Sequence, residues 1–280
     1  MELEVIHRLA YDTAKIGACC FCGDVGELHD EHIWPDWLSD ALTWGKDVHT
    51  HVVGPREGRR RLEHAPPFER TVCVVCQDRC NGGWMSNLET RAKRPLLSMI
   101  TGKSEILDQQ RQALIAFWTI KTSMMFAKAE PAGCWIPDTH FDELFRGRWI
   151  AGHKGKNPWR PLRKATVMLS AYSGEEHGGF YPEKLEPTLS GPDLRVPDES
   201  KGYGVTMNIG HLVFQLFAHD VEKLDFILRP KGFADSSITI WPSQRRSLRW
   251  PPRRWLDDVG YAQLKDIFSR LEGGTLPSPP

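Results

Sequence analysis

The chain has 280 residues, enough for one large domain or two small ones with a substantial core, so neither a mini-protein nor a disordered tail is expected. Apolar residues make up 40% and charged residues 26%, and the longest apolar run, Ala113 to Trp118, is far short of the roughly 20 residues of a membrane span. Basic and acidic residues balance at 36 each, which argues against indiscriminate polyanion binding but leaves room for a local basic face. Basic residues number 12 against 15 acidic in residues 1–100, 11 against 6 in 101–170, and 13 against 15 in 171–280.

In chain order, Pro35–Leu42 and Asn81–Ile100 read as helices, and Arg70–Cys76 alternates like a strand. A polar stretch, Gly45–Phe68, lies between them. Ser104 is read as the N-cap of a helix over Glu105–Ala129 with a polar face of Gln109, Gln112 and Lys121. Asp138 is read as capping a short helix through Phe145. Thr166–Tyr172, Tyr203–Phe217, Phe226–Leu228 and Ile238–Trp241 read as strands. Asp257 or Asp258 then caps an amphipathic helix through Leu264, Ile267, Phe268 and Leu271. The pattern is α+β, divided into units over 1–104 and 105–280.

Six of the seven cysteines fall within the first eighty residues, and the first thirty residues lack a basic start followed by an apolar stretch. The expected compartment is the cytoplasm, where clustered cysteines indicate a metal site rather than disulfides. Cys19-Cys20-Phe21-Cys22 places two thiolates at the spacing zinc favours, and the second half-site is Cys73-Val-Val-Cys76 or Cys76-Gln-Asp-Arg-Cys80. We expect Cys19, Cys22, Cys76 and Cys80 as ligands, with Cys73 as the alternate. Between the clusters, Glu31 and His32 are neighbours that face opposite ways in an extended segment. One can hold a divalent cation while the other activates water.

Paired cysteines, Glu31-His32-Ile33-Trp34-Pro35, then Cys76-x-x-x-Cys80 followed at once by Asn81-Gly-Gly-Trp-Met-Ser-Asn-Leu-Glu89 resemble, over residues 19–92, the zinc-containing HNH endonucleases. These are the His-Me finger, or ββα-metal, nucleases. The resemblance implies a hairpin and helix pinned by a structural zinc knuckle, with His32 as general base. Glu31 and Asn81 would hold a catalytic Mg²⁺ or Mn²⁺, and the reaction would be hydrolysis of DNA phosphodiester bonds. This chain departs from the pattern in three ways: three residues separate Cys76 from Cys80, no Asn lies between His32 and Asn81, and Glu31 stands where Asp is commoner. Alternatives are a nuclease acting on RNA, or a zinc-knuckle module that binds nucleic acid or protein without cleaving.

Arg59 and Arg60 on the intervening stretch, and Arg91 and Lys93 on the helix after the motif, are candidate phosphate contacts. The acid-free stretches Leu144–Gly174 and Ser236–Leu256 interleave arginine with Trp149, Trp159, Trp250 and Trp255. That combination suits phosphate contact with base stacking, or equally surface turns with solvated arginines.

Overall fold

The computed structural model describes residues 15–29, 33–35, 37–38, 50–52, 60–62, 72–73, 76, 83–129, 134–148, 159–174, 178–185, 202–221, 232–243 and 245–267. Among them are four helices and a five-stranded antiparallel sheet, a mixed α+β architecture. The order is β1 (Lys15–Ala18), β2 (Val25–His29), β3 (Thr50–Val52), β4 (Arg60–Leu62), β5 (Val72–Cys73), α1 (Trp84–Ile100), β6 (Glu105–Asp108), α2 (Gln109–Ala129), α3 (Asp138–Arg146) and β7 (Ala165–Ala171). Then come β8 (Gly178–Leu185), β9 (Gly202–Ile209), β10 (Leu212–His219), β11 (Ser237–Trp241), β12 (Ser247–Trp250) and α4 (Asp258–Lys265).

The main sheet runs β11-β7-β10-β9-β8; β3 joins β8 in parallel at Val52↔Phe180, and β4 lies beyond it. Hairpin β1–β2 pairs with β5 in a separate sheet, and β6 pairs with β12 in a ribbon. Alternation along the main sheet sends Tyr203, Val205 and Met207 of β9, with Leu212, Phe214 and Leu216 of β10, into the core. There they meet α2, with Trp118 and Phe214 centroids 5.6 Å apart and Phe126 stacked on Phe180 at 4.0 Å. One apolar core extends from Cys19 to Trp250, continuous across the boundary expected at residue 104.

The helix expected over Glu105–Ala129 begins four residues late. Glu105–Asp108 form β6 because β12 supplies a strand partner, Leu107↔Leu248 pointing inward, and Asp108 accepts from Arg111 N at 2.8 Å as the helix starts. Its supposed polar face is also corrected. Gln109 is exposed, whereas every residue from Gln112 to Ala127 is buried, the pattern of a helix surrounded on all sides. Gln112 Nε2 donates to Leu107 O at 2.8 Å and Arg245 O at 3.2 Å, while Thr119 and Ser123 donate to the preceding turn of their own helix. Fully buried Lys121 pairs with Glu89 of α1.

Three other expectations change. Tyr203–Phe217 is two strands, because Gly210, at φ 56°, and His211 form a tight turn between Ile209 and Leu212. Asp138 is the first residue of α3 rather than its cap, the cap position being Pro137. The strand expected over Arg70–Cys76 is seen at Val72–Cys73, and Cys76 has helical backbone. Asp257 caps α4 as expected, accepting from Gly260 N at 2.8 Å. Of the helix over Pro35–Leu42, Trp37 and Leu38 are helical, Pro35 is not, and the other residues lie outside the described ones, as do Phe226–Leu228, Phe268 and Leu271. No helix among the described residues is long and apolar enough to cross a membrane.

Candidate metal centre

Hairpin β1–β2 pairs Ala18 with Val25 and leaves a six-residue turn from Cys19 to Asp24. Cys19 N donates to Asp24 O and Gly23 N to Cys19 O, both at 2.9 Å, so the turn is closed by its own backbone. Gly23 takes φ 76°, a left-handed conformation that costs other residues about 1 kcal/mol or more. This folding brings Cys19 and Cys22 to one side. Cys76, distant in sequence, completes a group whose three sulfurs all lie within 4.8 Å of one another.

The separation of Cys19 Sγ from Cys76 Sγ is 3.8 Å. A disulfide needs about 2.05 Å. The edge of a tetrahedron with Zn–S bonds of about 2.3 Å is roughly 3.8 Å. Cys19 and Cys76 are buried and Cys22 is half-buried, so the cluster can hold a zinc ion with little access to water. A closed structural site has four protein ligands.

Phe21, between the two knuckle cysteines, anchors the turn. Its ring meets Trp84 of α1 edge-on at 5.2 Å and Phe141 of α3 at 5.4 Å. The hairpin's loop end is therefore fastened to two helices independently of the sulfurs. Composition gives no reason to single out Phe21, although its place between two ligands is a usable signal. An open cleft beside the knuckle is lined by Cys20, Phe21, Leu28, Lys128, Asp138 and Asp142.

Other expected site residues are distributed as follows. Cys73 sits in β5 opposite Leu28 of β2, and its side chain lies outside the described residues. Cys80, Glu31, His32, Asn81 and Arg59 lie outside the described residues, and Arg60 is described only as backbone of β4. Arg91 and Lys93 are exposed on α1, with Arg91 Nε donating to Asn87 Oδ1 at 3.0 Å. Of the tryptophans read as candidates for stacking, Trp159 and Trp250 are core residues and Trp255 is half-buried against Trp250. Trp149 lies outside the described residues.

A second polar group is buried behind α3, where His140 Nδ1 lies 2.9 Å from Tyr203 Oη. Burial lowers the His140 pKa from its usual value near 6.5, opposed by Glu143, Asp220 and a hydrogen bond to the His219 backbone; Lys164 adds to the lowering. Burial likewise raises Tyr203, helped by Glu143, Cys134 and Asp220. The unfolded chain thus takes up a proton at this histidine at higher pH than the folded chain does. Its contribution to stability is full above about pH 6.5 and is lost as pH falls through the lower folded value. Urea midpoints should fall between pH 7.5 and 5.5, less steeply in His140→Gln; equal slopes for both proteins would remove this residue from the acid response.

No protein-family model matches the chain, and comparison with curated proteins and with solved structures finds no match. The fold and site define an α+β chain whose three-cysteine cluster can hold zinc.

Proposed function

We propose that the chain is a metal-dependent HNH-type endonuclease hydrolysing DNA phosphodiester bonds in the cytoplasm. It would comprise a ββα-metal unit over 1–104, pinned by structural zinc, and an α+β unit over 105–280. The observation that supports this reading is the convergence of Cys19, Cys22 and Cys76 beside the β1–β2 hairpin, with α1 following in sequence. Cys80, or Cys73 in its place, completes the zinc set.

In this reading an imidazole nitrogen of His32 takes the proton of the attacking water. Glu31 and Asn81 offer a carboxylate and an amide oxygen, donors suited to Mg²⁺ or Mn²⁺, while the thiolates suit zinc. The hard cation, when bound, supplies positive charge to the phosphate and leaving oxygens. Arg59, Arg60, Arg91 and Lys93 contact the backbone phosphates.

Supercoiled plasmid incubated with the full chain in Mg²⁺ and in Mn²⁺ should become nicked or linear, and His32→Ala should lose this activity while keeping its zinc. A structured RNA in parallel assigns the substrate. Cleavage undiminished in the variant, or none of either nucleic acid by either protein, would overturn the reading.

A further inference from the structure

Arg245, Arg246, Arg249, Arg253 and Arg254 are all exposed. They lie on or beside the β6–β12 ribbon, whose inward residues Leu107, Leu248 and Trp250 are buried, while Arg249 and its cross-strand neighbour Ile106 face outward. The backbone beneath them is fixed. Buried Gln112 donates to Arg245 O, and Arg254 N donates to Asp235 O at 2.9 Å. The guanidinium groups therefore project from a framework that the core holds in place.

Acidic residues near the ribbon are committed elsewhere. Glu105 accepts from the Arg111 guanidinium at 2.9 Å, Asp108 starts α2, Asp257 caps α4, and Asp258 accepts from the Tyr172 hydroxyl. Asp235 is exposed and meets Arg254 through its backbone. Arg111, Lys121, Lys128 and Arg146 each have a carboxylate partner, whereas among the described residues none of the five ribbon guanidiniums makes a hydrogen bond or ion pair. Residues 236–256 hold these five arginines and no acidic residue, a run of positive charge within a chain of zero net charge.

We propose that this ribbon is a contact surface for a nucleic-acid backbone, binding phosphates rather than bases. Guanidinium groups pair with phosphate oxygens in a bidentate fork. Trp250 is buried and Trp255 half-buried against it, and the outward side carries little besides Ile106 to insert into a lipid surface. The choice of DNA rests on the nuclease reading and deepens it, giving the C-terminal part of the chain the task of holding substrate.

The test is fluorescence anisotropy of a labelled DNA duplex with the full chain, without added divalent ion, across a series of salt concentrations. Arg245→Gln/Arg246→Gln/Arg249→Gln should weaken binding at least tenfold at low salt, by the same factor for unrelated sequences. The slope of log affinity against log salt should become shallower by about 2–3, at roughly 0.9 for each phosphate no longer neutralised. The same three positions changed to lysine should regain most of the slope. Unchanged slope and affinity in a glutamine variant that melts like the wild type would overturn the proposal, as would absence of duplex binding by the wild type or binding to anionic phosphatidylserine vesicles alone. Because cleavage is not read, failure here is distinct from failure of the nuclease reading, which His32→Ala tests.

Discussion

Cys76→Ser is expected to abolish stoichiometric zinc and to cost more stability than any other single substitution considered for this chain. Cys76 is fully buried, its sulfur lies 3.8 Å from that of Cys19, and a serine hydroxyl is shorter, harder and protonated at neutral pH. Structural zinc in small finger peptides contributes an apparent 10–16 kcal/mol or so, against a total stability of about 5–15 kcal/mol for a typical domain. Even a fraction of that, removed with one ligand, should loosen the Cys76 segment from the turn and lower the urea midpoint, while the Phe21 contacts still hold the hairpin to α1. Cys20→Ser makes the contrast, since Cys20 is on the same turn but outside the cluster. Metal analysis should find zinc retained in the Cys20 variant and absent from the Cys76 variant; one zinc per chain in both would sink the assignment. Cys73→Ser and Cys80→Ser, compared in the same way, identify the fourth ligand.

Glu89→Gln should destabilise the chain by about 3 kcal/mol. The Lys121 side chain is 0% exposed and its ammonium lies 3.2 Å from the Glu89 carboxylate, which is 18% exposed. Removing one partner of a buried pair typically costs about 3–5 kcal/mol, because the remaining charge stays desolvated. The lower end applies because Glu89 sits at the edge of the core. Lys121→Met should cost less, since the carboxylate left behind reaches water. The double variant should recover most of the loss, a coupling that urea denaturation of all four proteins measures directly. A Glu89→Gln midpoint equal to that of the wild type would show that the pair has no such role.

Lys121 also marks a limit of what periodicity reveals. Gln112 and Lys121 occupy positions that a helix in contact with one layer would show to solvent, so an amphipathic reading is the natural one. Only the tertiary arrangement, with α1 and α3 on some sides of α2 and the sheet on another, turns that face inward. The same cause explains β6. Four residues leading into a helix carry no strand signal of their own, and the partner that makes them a strand is β12. The β9–β10 turn escapes notice for a local reason, since Gly210-His211 between apolar runs is a weak turn signature beside Asn-Gly or Asp-Gly. By contrast, the C-terminal ends of α1 and α2, the capping by Asp257 and the convergence of Cys19, Cys22 and Cys76 are legible. They depend on spacing and on cap chemistry, which sequence records directly. The contacts of Phe21, and the lack of a carboxylate partner for the ribbon arginines among the described residues, are not legible, because each is defined by neighbours in space.

The pairing of β6 with β12 has a consequence for synthesis. Asp108 and Ser247 are opposite one another, so the strand that leads into the central helix has no partner until β12 has left the ribosome. Until then the apolar side of α2 that faces β10 and β11 is also uncovered. The nascent chain therefore carries this apolar helix exposed until β10, β11 and β12 have emerged, and the core is completed only then. Ribosome-bound chains truncated before residue 240 should engage chaperones that recognise apolar helices, and release should coincide with the emergence of β12.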